Sequence, residues 1–477
     1  MTAYPNLLLH YNPYEAKDQL DLSLSEAYLL LQSQLKPPFP LTIPSPSEYA
    51  LLTRALAFSL LTQPDCAKIH LKHLHASVTD GYDLFTATLV NLTDICYPKL
   101  LPVPKTQLLF LCPQLIKVSA FKVDSLVISL LRRINGGDFT ESNLWLCAEV
   151  AKILSDNWDW LLDEPLVLTS ALFVYLRLLA DHFRLVSGPQ LDELKRLEIR
   201  FCIRVLRNCF HLCLGIGRDL IRLLQDLFVI PEFKELWKDL IFEPHKFGVM
   251  GFSDLCDIYR IKTPKHYFLL RINQEMEAQL RFLLTHVKWG KQQRYQAWFA
   301  KKYLSSPGYE TVIIDVIRFV CQCHHPSEKS IQSGVISRWA VIGWLLKSCK
   351  RNYFEANGKL ALFYDWLFFN EAVDNIMDIE PAMLLMVSSV PQYMEITHCL
   401  LEFLFLLVDN YDVQRKGFIA KGVLGAFNAL VKRGLVHSME FLTNCEKLSP
   451  FLREKLSKFL FEKVSISQQK ELIQKKS

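Results

Sequence analysis

The sequence predicts an all-α fold of the HEAT or armadillo type, in which helical pairs stack into a continuous solenoid. Three observations support this fold class. Apolar residues recur at helical spacing from about residue 50 onward. Turn signals separate segments of roughly ten to twenty residues, and no pair of alternating strands flanks an Asn-Gly or Asp-Gly turn. The repeat itself is degenerate, so the repeat type rests on helix length and short loops.

The composition is that of a folded chain. Of its 477 residues, 51% are hydrophobic and 22% are charged, and the mean hydropathy is +0.14. Disordered chains combine low hydrophobicity with high net charge, whereas the formal charge here is +5, from 54 Lys and Arg against 49 Asp and Glu. This balance excludes a polybasic nucleic-acid coat protein and confines any basic surface to a local segment.

The N-terminal residues form a separate region in this interpretation. A helix is predicted from Ser23 to Leu35, because Ser23 and Glu26 have the spacing of a capping box. The prolines between Lys36 and Glu48 cannot continue a helix and favour an extended spacer. We therefore predict a helix with a proline-rich linker at 1–48, a helical-repeat scaffold at 49–463 and a polar tail at 464–477.

The helices of the scaffold follow from the spacing of apolar residues. In the segment 143–154, for example, positions 144, 147, 150, 151 and 154 are apolar and share one stripe. Pro231 ends one helix and opens the next. Further helices are predicted at Leu166–Phe183, Leu191–Leu214, Arg218–Val229, Gln274–Val287, Gln292–Leu304, Val312–Cys321, Ser337–Ser348, Lys359–Phe369, Glu395–Asp409 and Val423–Arg433.

Two apolar segments are too short or too interrupted to span a membrane. Leu166–Leu176 is followed at once by Arg177, and Glu402 interrupts the segment 399–408. A span needs about 20 predominantly apolar residues, so both segments are predicted to be buried helices and no membrane contact is expected. The 13 cysteines are an odd number without framework spacing, which favours a reducing compartment. The N-terminus matches neither a signal peptide nor a transit peptide.

Two clusters contain residue types that bind zinc, but neither forms a complete ligand set. We interpret the first as polar surface beside a core stripe and the second as a helix end, so no metal and no cofactor is predicted. No nucleophile elbow, zinc-protease motif or complete phosphate-binding loop occurs, so no catalytic residue is predicted and the chain is not expected to be an enzyme. The clusters are Cys66, His70 and His73, and Cys321, Cys323, His324 and His325.

The most informative charge feature lies between Glu277 and Glu310, where no acidic residue occurs and basic residues alternate with aromatic ones. Basic side chains neutralise phosphates, and aromatic faces stack on unpaired bases. The alternative is an aromatic core stripe with a solvated basic face. In that case packing alone explains the aromatic residues. The candidates for a nucleic-acid or acidic-partner surface are Lys288, Lys291, Arg294, Lys301 and Lys302.

Long stretches of the chain match one known family in residues and in order. In the first half these are Gly136–Asp138, Asn143–Leu146, Tyr175–Leu178, Asp181–His182, Ile216–Gln225, Ile230–Phe233 and Leu236–Asp239. In the second half they are Arg294–Gln296, Trp298–Phe299, Tyr303–Ser305, Arg338–Ala340, Ile342–Leu346, Lys359–Phe369 and Ile379–Ala382. On these segments the chain resembles the Integrator complex subunit 3 family, whose members also belong to the sensor-of-single-stranded-DNA (SOSS) complex.

The resemblance implies a helical-repeat scaffold and not an enzyme. Its members hold a small third subunit together with an OB-fold single-stranded-DNA-binding subunit for the DNA damage response, and they serve the Integrator complex in small nuclear RNA 3′ processing and transcription. It also implies other Integrator subunits as partners, nucleic acid contacted mainly through partners, and the nucleus as location, with the cytoplasm as a second one. Animal members are longer, so the roles of their C-terminal half are not expected here.

The alternative function is that of another nuclear helical-repeat adaptor, which contacts nucleic acid through its own basic surface. Within the scaffold interpretation, five residues of the N-terminal half are predicted to bind a partner. Trp and Arg often anchor interfaces, and charged residues at a helix end can position a partner loop. For the tryptophan, core packing is the alternative role. The five residues are Asn143, Trp145, Arg177, Asp181 and His182.

Overall fold

The computed structural model describes residues 7–39, 44–184, 188–326 and 333–460. Within these ranges no strand occurs, and two isolated antiparallel bridges, Leu9 with Leu100 and Lys288 with Val335, are the only β pairing. The all-α prediction is therefore confirmed, while the HEAT or armadillo repeat type stays a prediction. The predicted tail at 464–477 lies outside the described residues, as do residues 40–43 of the predicted linker.

The chain divides into two compact units. Unit 1 comprises Met1–Asn135 and Phe139–Leu212, and unit 2 comprises Gly136–Asp138 and Cys213–Ser477. The helices of unit 1 are α1 (Gln19–Leu31), α2 (Pro46–Thr62), α3 (Ala67–Ser77), α4 (Asp83–Asn91), α5 (Pro102–Lys117), α6 (Val123–Leu131), α7 (Glu141–Asp156), α8 (Trp158–Asp163), α9 (Pro165–Phe183) and α10 (Pro189–Asn208).

A short α11 (Phe210–Cys213) lies at the point of the chain where unit 2 begins. The helices of unit 2 are α12 (Asp219–Asp226), α13 (Pro231–Phe242), α14 (Leu255–Tyr259), α15 (Lys265–Leu269), α16 (Gln274–His286), α17 (Gln292–Tyr303), α18 (Glu310–Gln322), α19 (Arg338–Lys347), α20 (Asn352–Leu367), α21 (Ile376–Ser389), α22 (Met394–Asn410), α23 (Lys416–Lys432), α24 (Glu440–Thr443) and α25 (450–460).

The predicted start of the first helix at Ser23 is wrong. α1 begins four residues earlier, and its N-cap is Asp18, whose carboxylate accepts a hydrogen bond from the Leu20 amide at 2.8 Å. The Ser23 hydroxyl instead donates to the Leu20 carbonyl within the helix. Asp is as good an N-cap as Ser, so the choice between them depends on which residue leaves the helical conformation.

A capping box does occur at the end of the proline-rich segment. The Glu48 carboxylate accepts from the Ser45 amide at 2.8 Å, and the Ser45 hydroxyl accepts from the Glu48 amide. Pro46 occupies the first helical position, where a missing N–H leaves no helical hydrogen bond unmade. The predicted boundary between residues 48 and 49 therefore falls inside α2.

Two other predicted helices have different limits. α10 ends at Asn208 and not at Leu214, because Cys209 leaves the helical conformation with φ −128° and ψ 28°. α20 begins at Asn352, seven residues before the predicted start, and contains Gly358 in its interior. A Cβ at Gly358 would lie 2.8 Å from Leu346 Cδ2, so this glycine permits close helix packing and does not end the helix.

The predicted buried helix at Leu166–Phe183 is confirmed as α9. It is the one helix in the described part of the chain that is long and apolar enough to cross a membrane by length and composition, and 89% of its 18-residue apolar window is buried inside the protein. The core helix of a globular unit has the same composition. α9 packs against α6, α8 and α10 and forms the core of unit 1.

The core of unit 2 contains buried charges. Arg318 of α18 donates to Asp219 of α12 and to Asp365 of α20, both at 2.6 Å, and Arg222 donates to the second oxygen of Asp219 at 2.8 Å. Burial alone would raise the pKa of Asp219, but the guanidinium groups of Arg318 and Arg222 outweigh it and hold the pKa below its ordinary value. Three helices thus meet at one ion network.

The start of α12 is fixed by a glycine in the left-handed region. Gly217 has φ +76°, and a Cβ on it would lie 2.5 Å from the Ile261 carbonyl oxygen. The next amide, of Arg218, donates to that carbonyl at 2.9 Å, and the Arg218 side chain donates to Asp374 at 2.7 Å. Only glycine fits this close approach without strain, so the turn delivers Arg218 to the buried network.

Candidate functional site

The side chain of Asn143, on α7, binds the backbone of a neighbouring loop. Its side-chain amide donates to the Asn135 carbonyl and its side-chain oxygen accepts from the Asn135 amide, both at 2.9 Å. The Asn143 side chain is buried, with 7% exposure. A side chain that satisfies both groups of one peptide position acts as a clamp on the loop, because both backbone groups are then paired away from water.

Arg177 and Asp181 form an ion pair inside unit 1. Arg177 donates to Asp181 Oδ1 at 2.7 Å along α9, and Arg184 donates to the same oxygen at 3.1 Å. Arg177 and Asp181 are each 1% exposed. Charges at this depth are tolerated only when they are paired and hydrogen-bonded, so each residue makes the burial of the other possible.

His182 pairs with Glu198 between α9 and α10. Its Nδ1 lies 2.9 Å from Glu198 Oε2, and the Cys147 thiol of α7 donates to the other carboxylate oxygen at 3.3 Å. Burial alone would lower the pKa of His182, but the Glu198 carboxylate outweighs it and the pKa is raised. One buried carboxylate therefore connects three helices.

The burial of these four side chains does not fit the surface role predicted for them. Asn143, Arg177, Asp181 and His182 are between 1% and 7% exposed, and their hydrogen bonds hold α7, α9 and α10 of unit 1 together. A partner on the surface of unit 1 would not touch them. Trp145 is different, because its side chain is half-buried and lines an open groove.

The groove at Trp145 lies between α5 and α7 and has a volume of about 650 Å³. On the α7 wall, Glu149 and Lys152 form an ion pair at 2.8 Å. On the α5 wall lies Pro113, which lacks an N–H, so the usual helical hydrogen bond to the Leu109 carbonyl cannot form. The groove is thus lined by an indole side chain, by charged side chains and by a helix that lacks one backbone hydrogen bond at Pro113.

The α5 wall of this groove is absent from the predicted helices. Three prolines, at 102, 104 and 113, weaken the helical pattern of this segment. Leu108, Leu111 and Leu115 nevertheless keep the i, i+3, i+7 spacing, and all three are fully buried. That stripe was the signal that could have identified the helix, and with it the second wall.

The five predicted cations around α17 are all exposed. Arg281, on the neighbouring α16, pairs with Glu277 at 2.8 Å. Within the described ranges, by contrast, none of the five forms an ion pair with a carboxylate. Their charge is therefore uncompensated by neighbouring acidic side chains, as the acid-free segment predicts. The five are Lys288, Lys291, Arg294, Lys301 and Lys302.

Three of these cations share a groove with aromatic rings. Lys288, Lys291 and Arg294 line a surface depression of about 480 Å³ together with Tyr295 and Trp298. The Trp298 side chain is 42% exposed. The remaining two cations, at 301 and 302, lie outside the depression, and the ammonium of residue 302 lies 5.3 Å from the centre of the indole ring at 298. We call this depression the basic groove.

The aromatic residues of α17 and of the turn before it divide between core and surface. Phe299 is fully buried and fits the interpretation as a core stripe. Trp298 and Trp289 do not, because they are 42% and 52% exposed. Trp289 rests on Trp339, with ring centroids 5.6 Å apart. Packing alone therefore explains Phe299 but leaves about half of each of the two indole side chains exposed.

Three of the four histidines in the two clusters with zinc-binding residue types contact other side chains. His70 Nδ1 lies 2.6 Å from the Ser59 hydroxyl, and burial lowers the pKa of His70. His73 stacks on Phe39 with centroids 4.0 Å apart. His325 Nε2 lies 3.0 Å from Asp378 Oδ1. Among the described residues, no group of three or more His, Cys, Asp or Glu side chains has the geometry of a metal site.

A family model described as Integrator complex subunit 3 N-terminal matches residues 47–458. The chain belongs to the Integrator complex subunit 3 family. The mouse (Mus musculus) Integrator complex subunit 3 is 36% identical over 414 residues, which cover 86% of this chain and 39% of that relative. The human (Homo sapiens) protein of the same name is 37% identical over 401 residues, 83% of this chain and 38% of the relative.

A third relative matches at a similar identity. The Integrator complex subunit 3 homolog of Dictyostelium discoideum is 39% identical over 388 residues, which cover 81% of this chain and 26% of that protein. The match thus spans between 26% and 39% of the length of these three Integrator complex subunit 3 relatives. The family region contains the Trp145 groove and the basic groove.

Proposed function

We propose that this chain is a non-enzymatic nuclear scaffold that holds a small third subunit together with an OB-fold single-stranded-DNA-binding subunit, and that it serves the Integrator complex. Membership of the Integrator complex subunit 3 family across 47–458 is the observation that carries this proposal. The tasks that go with it are the DNA damage response, and small nuclear RNA 3′ processing and transcription within the Integrator complex.

The formal charge supports this division of labour between the chain and its partner. OB-fold proteins bind single strands through a basic groove with stacking aromatic residues. A scaffold for such a protein does not need a polybasic surface of its own, and the formal charge of +5 over 477 residues agrees with that. Nucleic acid is therefore contacted mainly through the partner, and the helices supply the binding platform.

The Trp145 groove is the contact we assign to the OB-fold partner. Half-buried tryptophans in pockets are typical interface anchors, because they bury a large area with few side-chain degrees of freedom. Of the five predicted partner residues, Trp145 is the one whose side chain lines an open groove, and Lys152 with Glu149 supplies a polar rim. The other four predicted residues are buried, and their hydrogen bonds stabilise the packing of α7, on which Trp145 lies, and of its neighbours.

Isolation of the tagged full chain from nuclei of its own organism tests the scaffold. Mass spectrometry of the retained proteins should find an OB-fold single-strand-binding protein, a small third subunit and Integrator subunits. Recovery of Integrator subunits without any OB-fold protein would remove the single-strand-sensing half of the proposal. Recovery of none of them, from a soluble and folded chain, would contradict it as a whole.

A second candidate function is direct binding of single-stranded nucleic acid by the basic groove. The observation that favours it is the combination of exposed cations without carboxylate partners in the described chain and the partly exposed indole of Trp298. Cations neutralise phosphates, and an aromatic face stacks on any base. The test is the affinity of the purified chain for a labelled oligonucleotide as a function of salt. An affinity that is independent of salt would exclude it, as would binding of an acidic peptide in its place.

A further inference from the structure

A lysine and a cysteine meet at a cavity between α20 and α22 in unit 2. Lys359 of α20 donates to Cys399 Sγ of α22 at 2.8 Å and pairs with Glu355 at 2.6 Å. A separation of this size is normal for an N–H···O hydrogen bond. Sulfur is larger than oxygen, so the same separation between nitrogen and sulfur is a close contact. It is also near the distance between a nitrogen and a sulfur that are both bonded to one bridging oxygen.

The surroundings keep the Lys359 amine charged and the pair accessible. Burial alone would lower the pKa of Lys359, but its contacts with Cys399 and Glu355 raise it, so the amine is an ammonium at neutral pH. The cavity has a volume of about 390 Å³ and is also lined by Lys347 and Glu395. Reactive cysteines occur beside cationic side chains at partly exposed sites, and Cys399 is half-buried at such a site.

We propose that Lys359 and Cys399 form a reversible nitrogen–oxygen–sulfur crosslink when the protein meets hydrogen peroxide. In the first step the Cys399 thiolate attacks one peroxide oxygen and the O–O bond breaks. The leaving hydroxide takes a proton from the Lys359 ammonium and departs as water. The sulfur is now a sulfenic acid, and the lysine is a neutral amine beside it.

A second peroxide completes the link. Sulfenic acid, amine and hydrogen peroxide give the S–O–N linkage and two molecules of water, with the nitrogen oxidised by two electrons and the peroxide reduced. Reduction by four thiols returns the cysteine thiol, the lysine amine and one water, with two disulfides formed from the reductant. The link would join α20 to α22 covalently.

Cys349 provides an internal comparison, because it lines the same cavity. Burial, together with the nearby carboxylates of Glu310 and Glu355, raises the pKa of Cys349 to about 12. A thiol in that state is a poor nucleophile, since the thiolate is the reacting form. The two cysteines therefore share one access route but differ in their neighbours, and peroxide should discriminate between them.

The experiment is peroxide treatment of the full chain, digestion without reductant and peptide mass spectrometry. We expect a linked pair of peptides containing Lys359 and Cys399, with a gain of one oxygen and a loss of two hydrogens, which disappears on treatment with dithiothreitol. The link should persist in Cys349→Ser and be lost in Lys359→Arg, which keeps the positive charge but has no amine to oxidise.

Three results would overturn the proposal. One is a Cys399 sulfenic acid that a dimedone probe captures equally in the wild-type chain and in Lys359→Arg, without any linked peptide. Another is a disulfide between Cys349 and Cys399. The third is a crosslink of Lys359 and Cys399 that contains no oxygen. The measurement on the wild-type chain does not require any variant, so it decides the question even where a variant fails to fold.

Discussion

Arg318 and Asp219 form an ion pair at 2.6 Å although both side chains are almost completely buried, with 1% and 0% exposure. They lie 99 positions apart in the sequence and connect α18 with α12. A buried pair contributes little against a well-packed apolar replacement, but removal of one partner leaves an uncompensated charge in the core. The pair therefore makes the two helices interdependent.

Asp219→Ala is expected to destabilise unit 2 strongly. Loss of the carboxylate leaves Arg318 and Arg222 without a shared partner, and breaking a buried pair costs about 3–5 kcal/mol. Urea unfolding, together with hydrogen exchange in α12, α18 and α20, measures the effect. The matched control is Glu235→Ala, which breaks an exposed pair with Lys238 and should leave the transition unchanged. Equal effects of the two substitutions would show that the buried network is dispensable.

Gly422→Ala should destabilise the packing of α23 on the end of α20. A Cβ at Gly422 would lie 2.4 Å from the Leu367 carbonyl oxygen, and backbone cannot move aside as a side chain does. Overpacking lowers the free energy of unfolding by about 1–3 kcal/mol. The higher helix propensity of Ala raises it by at most about 1 kcal/mol. A thermal unfolding scan should therefore show a lower midpoint.

Gly425→Ala is the matched control on the same helix. There the nearest atoms, of Phe369, lie 3.7 Å and 3.8 Å from the new Cβ, which is ordinary contact. With no clash, helix propensity should dominate and the midpoint should stay or rise. A similar loss at both positions would mean that close backbone approach does not decide the outcome at Gly422.

The stability of unit 1 should depend on pH through His182. Its folded pKa is raised by Glu198, so the protonated form stabilises the fold. This contribution is fully present below the unfolded pKa of about 6.5 and is lost as the pH rises through the folded pKa. The difference in unfolding free energy between the wild type and His182→Gln should therefore shrink as the pH rises above about 6.5 and through the folded pKa. A difference that grows with pH would reverse the assigned sign.

If the basic groove binds single strands, two of its cations should set the salt dependence. For single-stranded nucleic acid, log K falls with log salt by about 0.7 per phosphate contact, so Lys291→Ala with Arg294→Ala should flatten the slope by up to twice that amount. Lys238→Ala together with Lys234→Ala, on the exposed face of α13, is the control and should leave the slope unchanged. Identical slopes in all three proteins would place any binding elsewhere.

Local spacing identified the helices whose apolar stripes are regular. Val312–Cys321 is predicted and Glu310–Gln322 is found, and Pro231 opens α13 as its position indicates. Helices rich in proline or short of a clear stripe, such as α5, escape this approach, because a proline inside a helix resembles a break. Caps were also ambiguous, since Asp18 and Ser23 are both good N-caps.

The candidate sites depended on information that spacing does not contain. Arg177, Asp181 and His182 appear at the end of a helix in the sequence, where charge normally faces water. Their burial follows from partners on other turns and helices, such as Glu198, 16 residues from His182. The exposed cations of the basic groove were easier to predict, because a segment without acidic residues cannot supply local ion pairs. Trp145 is an intermediate case. The residue was predicted to bind a partner, but the groove that it lines was not predicted, because α5 was not among the predicted helices.

Reconstitution of the purified full chain with an OB-fold single-strand-binding protein of the same organism is the most direct test of the scaffold. We expect the two to co-elute from a sizing column as one complex. Trp145→Ala should weaken binding by about 30-fold or more, the effect of losing a hot-spot residue worth about 2 kcal/mol, while the exposed Trp289→Ala binds as the wild type does. Separate elution of the folded wild-type chain and the OB-fold protein at micromolar concentration would contradict the proposed function.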